Sequence, residues 1–195
     1  EVLRQPMENR EITIARVAGA RTYPCRVTVV CAMNPCPCGY YNDPHRQCTC
    51  TPSQLQKYRS KISGPLLDRF DLQLEVVPVT FQELHREQPE EDSATIRRRV
   101  LAARQIQALR FANSDTIHNG AMTPRQIQQF CQLDKKSNQF LEQAFQKLGL
   151  SARAHNRILK VSRTIADLAG SETIQLAHLA EAIQYRTLDK KMWMG

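Results

Sequence analysis

The chain has 195 residues, 42% hydrophobic and 24% charged, which suits one compact soluble domain or two small ones. No apolar run approaches the ~20 residues that cross a bilayer, and the first residues hold neither a starting Met nor a signal-peptide core. The formal charge of +8 favours polyanionic partners such as nucleic acid or nucleotide phosphates, with a solvated basic surface an equal alternative.

The opening, Glu1-Val2-Leu3-Arg4-Gln5-Pro6, reads as an amphipathic segment already under way, so a piece of a longer protein is expected. Glu11–Ala15 alternates polar and apolar residues, the pattern of a half-buried strand. Arg26–Met33 is nearly continuous in β-branched and apolar residues, which predicts a strand buried on both faces. It stops at Asn34-Pro35, because proline cannot extend a central strand. Pro35–Pro52 is dense in Cys, Pro, Gly, Asn and Asp and reads as a loop insertion. A short helix is expected from Pro52 to about Ile62, then one helical turn at Leu66–Arg69 and a strand at Asp71–Val76.

From Thr80 the pattern turns helical. Gln88–Asp92 reads as the linker, and Ser93 as the N-cap of a long helix with Ile96, Val100, Ala103 and Ile106 on its buried stripe. A second helix starts at Thr123-Pro124, and a third runs from Lys135 to Leu148 and stops at Gly149. Ser151 caps a fourth, with Ile158, Val161, Ile165 and Leu168 buried. A fifth spans Gln175 to about Lys190 and buries Leu176, Leu179 and Ile183. A piece of α/β sheet followed by a small helical bundle is the predicted architecture.

Four constellations can carry chemistry. Of seven cysteines, Cys36, Cys38, Cys48 and Cys50 form two close pairs joined by nine residues, a spacing that brings four thiolates to one tetrahedral Zn²⁺. His45 can replace one sulfur, and free thiols or two disulfides are the alternatives; without a signal sequence, a reducing compartment favours metal. Asn34 ends the buried strand, where open α/β sheets bind ligands and where an amide can orient a water; an ordinary turn-former is the alternative. Arg69 stands in Gly64-Pro65-Leu66-Leu67-Asp68-Arg69-Phe70-Asp71, either as a local ion pair or as a cation offered to phosphate. Arg153 falls in the first turn of the fourth helix and shares a face with Arg157 and Lys160, an anion site or a solvated basic face.

Cys31-Ala32-Met33-Asn34-Pro35-Cys36-Pro37-Cys38-Gly39-Tyr40-Tyr41, Ser63–Asp71 and Gly149-Leu150-Ser151-Ala152-Arg153 occur in an order that resembles the Mg-chelatase-like AAA+ ATPases of the ComM/YifB type. Leu3-Arg4-Gln5-Pro6-Met7-Glu8 also resembles this family's stretch just after its acidic ATPase motif. The resemblance implies an α/β fragment of a P-loop AAA+ core (1–80), a linker (81–92) and an all-α helical lid (93–195). It implies Asn34 as sensor 1, Arg69 as an arginine finger, Arg153 as sensor 2, and the cysteine cluster as a structural zinc site. It further implies ATP with Mg²⁺ as cofactor, a homo-oligomeric, hexameric ring, nucleic acid as partner and a cytoplasmic location. No G-x-x-x-x-G-K-[ST] loop is present, so the chain alone is expected not to hydrolyse ATP. Branch migration of DNA is the implied activity of the whole protein. Porphyrin metallation by a magnesium chelatase subunit and a zinc-dependent nucleic-acid-binding module are the alternatives.

Overall fold

The computed structural model describes residues 2–17, 19–79, 81, 85 and 91–186. The chain divides between Phe70 and Asp71 into two compact units.

In the first unit, α1 (Arg4–Asn9) is closed by Arg10, whose left-handed φ of 58° turns the chain directly into β1 (Glu11–Arg16). β1 pairs antiparallel with β2 (Gly19–Pro24), Glu11 opposite Pro24 and Arg16 opposite Gly19. The alternation at 11–15 therefore does mark a strand, but both faces of the hairpin are exposed. Arg26–Met33, expected to be a two-faced buried strand, joins no ladder among the described residues, and Val27 and Val30 are 59% and 90% exposed. A strand exists only through its partners, and among the described residues the ladder consists of β1 and β2, with neither open edge paired to this run. Asp71–Val76, at the start of the second unit, likewise forms no strand, and Leu74 and Val76 stand exposed.

Two short helices complete the first unit. α2 (Pro52–Arg59) starts in a capping box, where the Thr51 hydroxyl accepts the Gln54 N–H and the Gln54 side chain accepts the Thr51 N–H. α3 (Gly64–Leu67) is a single turn capped by Ser63.

The second unit is a helical bundle. α4 (Ser93–Arg110) is capped by Asp92 rather than Ser93: the Asp92 carboxylate accepts the Thr95 N–H at 2.7 Å. Its expected stripe is buried only in the C-terminal half, where Ala103 is 3% exposed; Ile96 and Val100 remain 42% and 45% exposed because no described element covers the first turns. A 3-10 turn (Asn119–Ala121) precedes α5 (Pro124–Phe130), which opens with a second capping box between Thr123 and Gln126. α6 (Lys135–Leu148) is capped by Asp134 and ends at Gly149, whose φ of 57° suits a residue without a Cβ.

α7 (Ala152–Leu168) is capped by Ser151 and packs against α4, α5, α8 (Leu176–Gln184) and the 3-10 turn. Ile158, Leu141, Leu179 and Ile183 meet in one core, with Val161 and Ile165 at its margin. Leu168 and Leu176, expected in that core from their spacing, lie at the helix ends and are 39% and 45% exposed. Of the linker Gln88–Asp92, Gln88–Glu90 fall outside the described residues, as do residues 187–190; α8 itself ends at Gln184, short of the expected Lys190, with the Tyr185 N–H closing its last turn on the Glu181 and Ile183 carbonyls. No helix among the described residues is long and apolar enough to cross a membrane.

Candidate functional site

The cysteine loop is the best-formed candidate site. Cys36 is fully buried, and the chain turns back through Gly39 and Asn42, both with positive φ, to bring Cys48 and Cys50 to it. Cys36 Sγ lies 3.3 Å from Cys38 Sγ and 3.8 Å from Cys48 Sγ, and Cys38 and Cys48 are 3.5 Å apart. All four sulfurs fall within 4.8 Å of one another. A tetrahedral Zn²⁺ with Zn–S of about 2.3 Å separates its sulfurs by about 3.8 Å, so the donor set fits the ion with little adjustment. Disulfide sulfurs sit about 2.05 Å apart, so none of these contacts is a bond. His45 is exposed and outside the cluster; its backbone N–H donates to Asp43 at 2.8 Å.

The electrostatics of the loop suit a cation. Backbone N–H groups of Tyr40 and Thr49 stabilise the Cys38 thiolate and bring its pKa down to about 5. Desolvation pushes Cys50 up to about 12. At Cys48 a hydrogen bond with the Cys50 backbone favours the thiolate, but desolvation and the neighbouring thiols outweigh it and raise the pKa. Crowding lets one sulfur ionise at its neighbours' expense; a divalent ion would let all four do so.

Asn34 is exposed at the mouth of this loop, and its backbone carbonyl accepts the Tyr58 hydroxyl at 3.1 Å. Arg69 is 8% exposed. Its guanidinium donates to Glu8 Oε2 at 2.6 Å and to the Pro65 carbonyl, and its Nε is buried without a hydrogen-bond partner. The ion pair is thus with Glu8 and not with Asp68 or Asp71. The Glu8 partnership is 61 positions long and left no local signal in the sequence.

Arg153 is exposed at the second position of α7, in the helical unit. On the same helix, Arg157 pairs with Asp71, and Lys160 Nζ donates to the Gly120 carbonyl at 3.1 Å. This basic face is therefore partly engaged within its own unit. Clefts of about 330 and 210 Å³ in that unit are bordered by Gln132, Thr173 and Ile174, and neither is lined by Arg153.

A buried polar hub escaped the sequence reading. Asp167, with a side chain 0% exposed, accepts from Arg110 Nη1 at 2.7 Å, Arg163 Nε at 3.1 Å and Asn119 Nδ2 at 2.7 Å. Burial alone would raise its pKa; hydrogen bonds from Arg110 and Asn119, with both positive charges, hold it below the usual carboxylate range. Arg163 also donates to the Ser171 and Glu172 carbonyls, tying the turn after α7 to the hub. The Arg163–Asp167 spacing of four residues on one helix was the available signal.

Residues 1–84 match the family described as magnesium chelatase, subunit ChlI, and residues 90–186 match the ChlI C-terminal family. The chain is 43% identical over 189 residues to competence protein ComM of Haemophilus influenzae, covering 96% of this chain and 36% of that protein. It is 42% identical over 191 residues to YifB of Escherichia coli, covering 97% of this chain and 37% of the relative. A Mycobacterium bovis protein, Mb2921c, is 33% identical over 186 residues, 95% of this chain and 36% of its own length. The chain thus spans little more than a third of these relatives. With both halves matched in order, it belongs to the Mg-chelatase-like family, among proteins of the ComM/YifB type.

Proposed function

We propose that the chain supplies the distal core (1–80), linker (81–92) and helical lid (93–195) of a ring-forming, cytoplasmic ATPase that remodels nucleic acid, with DNA branch migration as the specific activity. The supporting observation is family membership in two adjoining matches, whose edges at 84 and 90 lie inside the same linker. In this reading Asn34 orients the attacking water, and Arg69 neutralises charge developing on a neighbouring subunit's γ-phosphate. Arg153, in the first turn of α7 where the helix dipole favours anions, couples the lid to the nucleotide. Mg²⁺ bound with ATP supplies further charge neutralisation. Arg69 can serve only by exchanging the Glu8 carboxylate for phosphate, one anion for another.

Zn²⁺ in this reading is held by Cys36, Cys38, Cys48 and Cys50. Four sulfur ligands leave no open position, so the metal staples the loop and takes no part in turnover. The deciding experiment is Arg69→Ala in the full-length protein: ATP turnover is lost while ATP binding persists, and unchanged turnover removes the finger assignment. The ChlI match favours one second reading, porphyrin metallation. Metal insertion into a porphyrin by the full-length protein, without stimulation of its ATPase by DNA, would select it.

A further inference from the structure

The cysteine loop and the helix behind it concentrate aromatic rings beside cations. The Arg46 guanidinium lies 5.1 Å from the centre of the Tyr40 ring and donates to the Tyr40 hydroxyl at 2.7 Å. The Lys61 ammonium lies 6.0 Å from the Tyr58 ring, and the Arg59 guanidinium 4.7 Å from Tyr41. These pairs play different parts. Arg59 is 8% exposed and braces Tyr41 from within, whereas Arg46, Lys57 and Lys61 are exposed. Tyr40 and Tyr58 are half-buried, held by the folded loop and by the Tyr58 bond to the Asn34 carbonyl.

Charge sets a limit on what such a surface can hold. Between residues 36 and 62 the bases Arg46, Lys57, Arg59 and Lys61 face one acid, Asp43, a formal balance of +3. The Asp43 carboxylate already accepts the His45 and Arg46 N–H groups at 2.8 Å each. Four thiolates around Zn²⁺ would add −2, leaving +1. That is too little to grip a duplex by its phosphates alone. Stacking has to supply the rest, and only unpaired bases expose their faces to it.

We propose that this surface binds single-stranded nucleic acid, with bases stacked on Tyr40 and Tyr58 and phosphates on Arg46, Lys57 and Lys61. It rests on the nucleic-acid reading above and names the residues of this chain that make the contact. The cation beside each ring favours an extended strand, because a base and its phosphate are met a few ångströms apart.

The test uses full-length protein, fluorescent oligo(dT) of about 20 nucleotides and a duplex of equal length, without ATP, with zinc measured on the same samples. The single strand should bind about tenfold more tightly than the duplex, and Tyr40→Leu and Arg46→Gln should each weaken it about tenfold. Loss of one phosphate contact in Arg46→Gln should also flatten the salt dependence by about 0.7 in log K per log salt. Arg46 is exposed and donates nothing to the metal, so this variant decides the matter if Tyr40→Leu fails to fold. Binding within twofold of the parent in Arg46→Gln with zinc retained, or equal affinity for the duplex, overturns the proposal. ATP turnover measured in parallel keeps the outcomes apart, since an active ATPase with unchanged strand binding defeats this surface alone.

Discussion

Arg69 and Glu8, 61 residues apart, meet at 2.6 Å with side chains 9% and 31% exposed. The contact ties the turn after α3 back to the end of α1, and Arg4 on the same helix donates to Ser63 at 2.7 Å. A residue expected to face another subunit's phosphate is thus stored against an anion of its own unit.

Removal of Glu8 would leave a buried guanidinium with only the Pro65 carbonyl. Glu8→Ala should therefore destabilise the first unit by about 1–3 kcal/mol, and Glu8→Gln, which keeps an acceptor oxygen, by less. Urea unfolding of the two variants checks the order. Equal stability of Glu8→Ala and the parent would mean the pair contributes nothing.

Metal analysis of purified protein should find one Zn²⁺ per chain, released by chelator and lost in Cys36→Ser or Cys48→Ser. Because thiols must lose protons to bind the ion, uptake should release protons and weaken as pH falls. The buried Cys36 makes its substitution the most damaging to the loop. A fully folded, metal-free protein with an unchanged loop would refute the site.

What could be read from the sequence follows the range of the interactions. Thr51, Thr123, Asp134 and Ser151 satisfy N–H groups three residues away, and Gly149 supplies a conformation other residues resist, so these helix starts and the end of α6 were legible to within a residue or two; α2 and α8 end at Arg59 and Gln184, short of the expected Ile62 and Lys190, where no such local signal stands. The cysteine cluster was legible because its ligands lie within 15 positions of one another. The runs at 26–33 and 71–76 misled: their composition suits a buried sheet, but a strand is defined by partners the sequence does not name. Glu8–Arg69 and Arg110–Asp167 were invisible for the same reason, being 61 and 57 positions apart.

Gly149 closes α6 at a φ of 57°, and nothing lies within 4 Å of where a Cβ would be. The cost of Gly149→Ala is therefore conformational rather than steric, about 1 kcal/mol. Thr123→Ala, which removes one half of a capping box, should cost about the same. Leu179→Ala, at a fully buried core position, should cost about 2–5 kcal/mol. Thermal melts of the three place conformational strain and cavity formation side by side; a Leu179→Ala cost no larger than the other two would deny the core its central position.

The hub around Asp167 ties the stability of the helical unit to pH. An unfolded Asp titrates at about 3.9, and the folded carboxyl is held lower by Arg110 and Asn119. Its contribution is therefore complete above that value and fades as pH falls through the lower folded pKa. The depressed Asp92 and Asp134 caps act in the same direction, Asp92 through Thr95 and Asp134 through the Ser137 N–H. Asp167→Asn keeps the shape but leaves Arg110 and Arg163 without their counter-charge, and should cost about 3–5 kcal/mol at neutral pH. It should also remove part of the acid dependence, because the group that titrates is gone. A variant whose stability falls with acid as steeply as the parent's would show that the acid response resides in the caps and not in this buried carboxylate.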